Sequence, residues 1–308
     1  MADRVLVTGS SGVIGTALAE RLIDDGADVT GVDRNPNPWS VAVDEATIRA
    51  DLCDPGLVED LPVDVDIVVH LAARSRVPDL VEDPAGAREN LDSTHTVLEY
   101  ARRTGADLLF ASSREVYGEQ DRVRSHESDA GVRSPVNPYG ASKVAGEAMA
   151  TAYDECYDVR TASLRFSNVY GRYDASDRVV PTFVARARRG EDLTVYGDDK
   201  VLDFLHVDDC VDAVVAALEA FGTVHGTALN VGAGRGRSIV ELAETVRAAV
   251  GSDSAVVVEP DRTGEVSRFV PATDAIEALL GWTPDVNFEA GIERTVEWYL
   301  DHGDALPG

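Results

Sequence analysis

A glycine-rich turn near the start of the chain constrains its fold more than any other feature. The segment TGSSGVIG places Gly9, Gly12 and Gly15 directly after the β-branched run at 4–8, and apolar residues with helical spacing follow over 13–25. Glycine permits a tight turn and a close approach of the backbone to a pyrophosphate, which the helix N-terminus then attracts. A strand, a glycine turn and a helix in this order predict a dinucleotide site in a Rossmann unit.

Strand-like and helix-like segments alternate through the N-terminal half of the chain. Because parallel strands need helical crossovers, this alternation predicts an α/β fold with a doubly wound parallel sheet. The predicted strands are 28–32, 67–71, 107–112, 159–165 and 227–231, and the predicted helices are 86–104, 139–157, 208–220, 238–250, 273–280 and 289–302.

The alternation loosens from about residue 171, where proline, glycine and short strands become frequent. We therefore predict an NAD-binding Rossmann domain over 1–170, with returning segments near 203–231. The remaining chain, 171–308, is predicted to be a smaller mixed α/β region that mainly binds substrate.

An acidic residue ends the second predicted strand. Asp33 lies 18 residues past Gly15, where a carboxylate accepts hydrogen bonds from the ribose hydroxyls of NAD. The same charge repels the 2′-phosphate of NADP, although Arg34 directly after it softens that repulsion. The spacing favours NAD; the alternative for Asp33 is an ordinary loop carboxylate.

A tyrosine and a lysine four residues apart form the candidate reactive pair. Tyr139 and Lys143 follow Asn137-Pro138, and their spacing puts both side chains on one helical face. The lysine cation and the charge of a nicotinamide are expected to lower the pKa of the phenol, which then acts as a base. Apart from Lys200, every other basic residue is arginine, which is larger and holds its proton. The alternative is a surface pair.

Two serines follow the strand that begins at residue 107. Ser112 and Ser113 open the segment SSREVYG, and open α/β sheets bind ligands at the carboxyl ends of their strands. A hydroxyl there is expected to hydrogen-bond a reacting hydroxyl and to share its proton with Tyr139. Isolated serines would instead form a turn.

Charge excludes nucleic acid as a partner. The chain carries 55 acidic and 28 basic residues, and its formal net charge of −27 repels phosphate backbones. The acidic residues are dispersed and lysine is nearly absent, which indicates adaptation to molar salt, where self-repulsion is screened. An acidic patch for a basic partner is the alternative.

The remaining composition predicts neither a metal site nor a membrane segment. Cys53, Cys156 and Cys210 lie far apart without a CxxC pair, and the histidines lack ligand spacing, so we expect buried, inert thiols and no metal. The chain has no long apolar run and no signal-peptide pattern, so a cytoplasmic protein without membrane partners is expected.

Motifs along nearly the whole chain resemble the extended short-chain dehydrogenase/reductases, that is, the NAD-dependent epimerase/dehydratase family. Within it, the chain is similar to nucleotide-sugar epimerases such as UDP-galactose 4-epimerase. The matching motifs are TGSSGVIG (8–15), Asp33, Asp51-Leu52, HLAA (70–73), Asn90, SSREVYG (112–118), NPYGASK (137–143), LRFSNVYG (164–171), DFLHVDD (203–209) and LGWTP (280–284).

The resemblance implies a role for each matching position. It also implies a homodimer formed through the helices near 88–104 and 139–157. The catalytic residues would be Ser113, Tyr139 and Lys143, and the substrate contacts Ser113, Asn168 and Arg262. The cofactor would contact Gly9, Gly12, Val13, Ile14, Gly15, Asp33, Arg34, Asp51, Leu52, Leu71, Ala72, Ala73, Asn90, Tyr139 and Lys143.

Two positions depart from the family pattern. Leu202 stands where an arginine usually clamps the diphosphate, with Arg178, Arg262 or Lys200 as candidates to compensate. Arg114-Glu115 stands where the 4,6-dehydratases have an Asp-Glu pair, which disfavours sugar dehydration.

These observations predict NAD-dependent epimerisation of a nucleotide-activated sugar at C4. Tyr139, helped by Ser113, takes the hydroxyl proton, hydride passes to NAD and back to the opposite face, and Lys143 holds the nicotinamide ribose. Leu202 leaves open an NAD-dependent dehydrogenase of a free sugar or similar alcohol. Glu115 leaves open a nucleotide-sugar decarboxylase or dehydratase. The presence of all three of Ser113, Tyr139 and Lys143 disfavours a protein that only senses NAD.

Overall fold

The computed structural model describes residues 3–261 and 266–307. The predicted substrate contact Arg262 lies outside these described residues. Strands and helices follow one another in this order: β1 Arg4–Thr8, α1 Val13–Asp24, β2 Asp28–Asp33, α2 Val41–Glu45, β3 Thr47–Arg49, β4 Ile67–His70, α3 Val77–Glu82, α4 Ala85–Thr104, β5 Asp107–Ser113, α5 Pro138–Tyr157, β6 Thr161–Phe166, β7 Asn168–Tyr170, α6 Val179–Arg189, β8 Leu193–Tyr196, β9 Val201–His206, α7 Val207–Glu219, α8 Phe221–Val224, β10 Ala228–Val231, β11 Gly236–Ser238, α9 Ile239–Val250, β12 Val256–Glu259, β13 Arg268–Phe269, α10 Asp274–Leu280 and α11 Phe288–Asp301.

The main sheet is parallel and doubly wound, as predicted. Within the described ranges it has seven strands in the order β10-β6-β5-β4-β1-β2-β3, and every neighbouring pair is parallel. The order reverses between β1 and β4. In open α/β sheets a ligand crevice forms outside the carboxyl ends of the strands at such a reversal.

Apolar side chains cover both faces of this sheet. On one face Leu18 and Leu22 of α1 pack with Val214 of α7, and on the other Leu98 of α4 packs with Leu108 of β5. All five are buried. Each such side chain contributes about 1.5–3 kcal/mol when it leaves water, so the two layers of helices fix the sheet that carries the crevice.

A smaller lobe stands beside the carboxyl end of the main sheet. Strand β9 pairs with β7, β11 and β13, and β8 pairs with β12. Helices α6, α9 and α11 complete its core, in which Phe183, Leu242 and Ile292 are buried.

The chain passes between the two units more than once. Strand β7 already belongs to the sheet of the smaller lobe, and β9 stays there with it. Helix α7 then packs against α1, and β10 adds to the main sheet beside β6. Residues 207–231 therefore return to the Rossmann unit.

The three thiols differ in exposure. Cys210 is buried, Cys53 is partly exposed and Cys156 is exposed at the end of α5. The expectation that all three are buried was wrong, because Cys156 lies in the last turn of the helix, on its solvent side. In the described part of the chain, no helix has the length and hydropathy needed to cross a membrane.

Candidate active site

A cleft of about 740 Å³ opens at the carboxyl ends of the main-sheet strands and reaches the smaller lobe. Residues from both units line it. Every described residue that the sequence singled out for the cofactor or substrate lies on its wall: Gly9, Gly12, Val13, Ile14, Gly15, Asp33, Arg34, Asp51, Leu52, Leu71, Ala72, Ala73, Asn90, Ser113, Tyr139, Lys143 and Asn168.

The glycine turn is shaped by close backbone contacts. Gly9 has φ of +73°, a conformation that L side chains rarely adopt. A Cβ on Gly15 would lie 1.9 Å from the carbonyl oxygen of Gly9, so α1 packs directly on the turn. The helix begins after Gly12, and within residues 3–261 and 266–307 no side chain caps its first N–H groups. These free donors and the room above them fit a pyrophosphate.

Asp33 stands beside this turn at the end of β2. Its two carboxylate oxygens accept hydrogen bonds from the backbone N–H groups of Ser11, at 3.0 Å, and Asn35, at 2.8 Å. Each oxygen keeps a further lone pair for a ribose hydroxyl. The geometry therefore fits the adenosine half of NAD.

The side chain of Asn90 links two segments of the chain beside the cleft. Its Oδ1 accepts from the backbone N–H of Arg74 at 2.8 Å, and its Nδ2 donates to the Arg74 carbonyl at 3.0 Å and to Ser142 Oγ at 3.2 Å. The side chain thus ties the segment after β4 to the first turns of α5.

The first turn of α5 carries Tyr139 into the cleft. Asn137 caps the helix by accepting from the Gly140 N–H at 2.8 Å, and Pro138 occupies the first helical position. Tyr139 is 8% exposed, and the Ser113 side chain is close enough to act on its pKa. The cap therefore sets where the phenol meets the end of β5.

Lys143 lies one turn further along the same face. Its Nζ donates to the Ala111 carbonyl at 2.7 Å and lies 5.7 Å from the centre of the Tyr139 ring. Burial lowers the pKa of Lys143 to about 8, with Glu147 acting in the opposite direction.

The pKa of Tyr139 shifts against the sequence-based expectation. Burial raises it to about 12, while the charge of Arg178, the hydrogen bond with Ser113 and the charge of Arg114 act to lower it. The predicted lowering of this pKa by Lys143 together with a nicotinamide is not seen in the protein alone, because removing the phenol from water outweighs the charges around it.

The two serines at the end of β5 face opposite sides of the sheet. Ser112 Oγ donates to Glu147, which pairs with Arg165 at 2.7 Å. Ser113 faces Tyr139. Successive strand residues alternate between faces, so only Ser113 reaches the phenol.

Arg114 and Glu115 form a fixed group on the cleft wall. Arg114 pairs with Glu115 at 2.8 Å, and its Nε donates to Asn168 Oδ1 at 3.0 Å. The second oxygen of Glu115 accepts from Asn137 Nδ2 at 2.7 Å. Arg114 therefore faces the cleft rather than open solvent.

Leu202 lies in β9 on the wall of the cleft and is 8% exposed. It packs in the core of the smaller lobe. Arg178, at the N-cap of α6, also lines the cleft and donates to Ser75 Oγ at 2.6 Å. It is one of the cations that the sequence analysis named as able to compensate for Leu202.

Several lining residues carry no signal in the sequence. Ser75, Arg76, Thr182 and Tyr196 reach the cleft from the segment after β4, from α6 and from β8. Arg76 forms ion pairs with Asp79 and Asp177 and so joins the two sides of the cleft mouth. Only the packing of the smaller lobe brings these residues together.

Known proteins with similar sequences and structures share this architecture. The family model described as the NAD dependent epimerase/dehydratase family matches residues 5–232. The crystal structure of Thermus thermophilus UDP-glucose 4-epimerase in complex with NAD is 33% identical, covers 96% of this chain and 99% of its own, and superposes with a TM-score of 0.88.

Similar proteins also include enzymes of other reactions. UDP-glucuronic acid decarboxylase 1 of Xenopus tropicalis is 31% identical over 97% of this chain and 73% of its own. The dTDP-glucose 4,6-dehydratase of Streptomyces niveus is 30% identical over 97% of this chain and 93% of its own. The three known proteins act on nucleotide sugars according to their names, but their reactions differ.

Proposed function

The chain belongs to the NAD-dependent epimerase/dehydratase family, and on that premise we propose that it inverts the configuration of a nucleotide-activated sugar at C4. NAD is its cofactor. One observation carries the proposal: Tyr139 meets Ser113 and Lys143 at the carboxyl end of β5, on the wall of the dinucleotide cleft. The trio combines a proton acceptor, a hydroxyl and a cation at one point.

In the proposed reaction, the phenolic oxygen of Tyr139 accepts the proton of the sugar C4 hydroxyl and later returns it. Ser113 hydrogen-bonds both the phenolic oxygen of Tyr139 and the sugar C4 hydroxyl, and so holds the hydroxyl in line with the phenol. Bound NAD supplies the acceptor and donor of hydride. Lys143, held by the Ala111 carbonyl, contributes positive charge that favours the phenolate. The 4-keto sugar then turns over within the cleft.

The state of Glu115 supports epimerisation over dehydration or decarboxylation. Both of its carboxylate oxygens are engaged, one by Arg114 and the other by Asn137. An acid or base must be free to exchange a proton with the substrate. Glu115 is instead held in place by these two contacts.

A net dehydrogenase of a free sugar or similar alcohol is the second candidate. Leu202 supports it, since this apolar side chain lies on the cleft wall where the resemblance expects an arginine for the diphosphate. Arg178 also lines the cleft, and its charge favours a substrate that carries a negative charge over a neutral free sugar.

A sugar screen separates the two candidates. UDP-, GDP- and dTDP-sugars, and the corresponding free sugars, are incubated with the enzyme in high salt, and both interconverted sugar and reduced cofactor are measured. Interconversion without stoichiometric reduced cofactor supports the epimerase. Steady release of reduced cofactor on free sugars, with no epimer formed, would replace it with the dehydrogenase.

Tyr139→Phe tests the central role. Removing the phenolic oxygen should lower turnover by about 10²–10⁴-fold, the usual contribution of acid–base catalysis, while NAD remains bound. Turnover is measured with the best sugar of the screen, and bound NAD is quantified after denaturation. Tyr157→Phe, at the exposed end of the same helix, serves as the control. Near-normal turnover in Tyr139→Phe contradicts the proposal.

The proposal includes a homodimer formed through α4 and α5. The two helices lie side by side, and Tyr153 of α5 donates to Glu99 of α4 at 2.7 Å. The outer face of α5 exposes the small residues Ala148, Thr151 and Ala152. Small side chains allow the helices of two subunits to approach closely, which supports this face as the interface.

A further inference from the structure

Arg114 occupies a special place on the cleft wall. It directly follows Ser113 at the end of β5, and its side chain is 14% exposed. Its charge acts on the phenol of Tyr139. The guanidinium therefore lines the same cleft as Ser113 and Tyr139, which the proposed function assigns to the sugar C4 hydroxyl.

The guanidinium is held in one orientation by two contacts. Nε donates to Asn168 Oδ1 at 3.0 Å, and Nη2 pairs with Glu115 at 2.8 Å. Asn168 is itself fixed, because its Nδ2 donates to the Asp203 carbonyl at 2.7 Å. A planar group held along two of its edges has little freedom left.

The third nitrogen of Arg114 is without a partner in the described part of the chain. Nη1 is buried, and none of the described residues offers it an acceptor. Arginine cannot release its charge by losing a proton, and a buried charged donor without an acceptor is unfavourable. Since Arg114 lines the cleft, a ligand bound there is the natural source of the missing acceptor.

The charges around the phenol favour an anionic acceptor. Arg178 and Arg114 both act on Tyr139 as cations, and Glu115 is the carboxylate that acts against them. Arg178 pairs with no carboxylate of the described residues and donates instead to Ser75. In a chain with 55 acidic residues, Arg178 without a carboxylate partner among the described residues and the unpartnered Nη1 of Arg114 match a negative charge on the substrate.

The position of that charge follows from the sugar ring. In a pyranose, C6 is attached to C5, which is bonded to C4, whereas the nucleotide diphosphate hangs from C1 across the ring. A cation beside the C4 hydroxyl is therefore nearer to a C6 substituent than to the diphosphate. We propose that Arg114 is a specificity-determining residue that binds the C6 carboxylate of a nucleotide-activated uronic acid. This inference rests on the proposed C4 chemistry.

Binding measurements in the Tyr139→Phe background test the inference without turnover. The probes are UDP-glucuronate, UDP-glucose and UDP, titrated calorimetrically into the NAD-loaded protein. UDP-glucuronate should bind roughly tenfold or more tightly than UDP-glucose, as expected for one charge-assisted hydrogen-bonding group. Adding Arg114→Met should abolish that preference, and Arg114→Lys should restore part of it. Arg294→Met, an exposed arginine of α11 outside the cleft, should leave the preference unchanged.

Three outcomes overturn the inference. The first is equal binding of UDP-glucuronate and UDP-glucose before Arg114 is changed, a result that does not depend on how well the Arg114 variants fold. The second is a preference that survives Arg114→Met. The third is an equal loss for all three probes including UDP, which would assign Arg114 to the diphosphate.

The inference and the proposed function fail separately. If the enzyme interconverts UDP-glucose and UDP-galactose but shows no preference for the uronate, only the role of Arg114 falls. The enzyme could instead interconvert no nucleotide sugar, yet prefer UDP-glucuronate and lose that preference in Arg114→Met. This result would refute the C4 chemistry and support the carboxylate site.

Discussion

At the scale of single residues, burial sets the protonation of the two central side chains. Water stabilises the charged form of each group, so its exclusion raises the pKa of Tyr139 to about 12 and lowers that of Lys143 to about 8. Burial thus keeps the phenol neutral at neutral pH in the protein alone, whereas Lys143 keeps its charge below about pH 8. The positive charges of Arg178 and Arg114 oppose this effect at the phenol.

The pKa of Lys143 predicts how stability depends on pH. The folded protein loses this proton near pH 8, whereas the unfolded chain keeps it up to about pH 10.4. Between these values the unfolded state binds more protons, so the contribution of Lys143 to the free energy of unfolding rises with pH. The free energy of unfolding is measured with urea for the NAD-free wild type and for Lys143→Met. As the pH rises through this window, the value for the wild type should increase relative to that for the variant.

Lys143→Arg provides the matched control for that prediction. Arginine keeps its proton throughout the window, so the variant should follow Lys143→Met in slope even if its stability differs. A difference between wild type and both variants that stays flat from about pH 8 to 10.4 would show that Lys143 is not shifted by burial.

At the scale of elements, the position of the phenol depends on how closely α5 approaches the end of β5. Gly140 makes that approach possible, since a Cβ there would lie 2.4 Å from the carbonyl oxygen of Glu115. The clash would be with backbone rather than with a flexible side chain. The helix must therefore move, and Tyr139 moves with it.

Gly140→Ala should consequently damage both stability and catalysis. We expect a loss of about 1–3 kcal/mol, typical of overpacking, and a fall in kcat of about tenfold or more from misplacement of the phenol. Thermal unfolding and steady-state kinetics measure the two effects. Gly222→Ala is the control, because that exposed helical glycine has nothing within 4 Å of an added Cβ. If both variants keep wild-type kcat, the helix is not held by this contact.

At the scale of the whole molecule, two predictions concern the salt dependence of stability and the oligomeric state. A net charge of −27 on 308 residues repels itself in dilute buffer, and the repulsion is screened when the Debye length falls to about 3 Å near 1 M salt. The adaptation to molar salt stays a prediction. We expect the free energy of unfolding to be lower without salt, while the folded structure stays the same.

Thermal unfolding against KCl tests it. Raising KCl from about 0.1 M to about 2 M should raise Tm by several degrees, since about 1 kcal/mol moves Tm by roughly 2–4 °C in a chain of this size. Sucrose at matched water activity is the control for preferential exclusion. A Tm that is highest in salt-free buffer contradicts the prediction.

Light scattering coupled to size exclusion tests the dimer. Ala148→Arg places a large cation on the outer face of α5 and should convert a dimer to monomers, because the charge would be buried without a partner. Ala278→Arg, on the exposed face of α10, should leave the mass unchanged. A wild-type mass of one chain refutes the dimer.

The sequence by itself determined the features that depend on residues close to one another along the chain. The parallel sheet follows from apolar strands alternating with helices, and the turn at Gly9 follows from glycine spacing, because both are set within about 30 residues. The shared face of Tyr139 and Lys143 follows from a spacing of four on a helix. Such local patterns are sufficient to place the glycine turn, Asp33 and the pair Tyr139 and Lys143 at the cleft.

Only the tertiary structure decided what depends on burial and on distant partners. It separated Ser113 from Ser112, turned Arg114 toward the cleft against Asn168, and raised the pKa of Tyr139. It also brought Arg178 to the phenol from the smaller lobe. The physical reason is that desolvation and long-range pairing arise from the packing of two units, which no local pattern encodes.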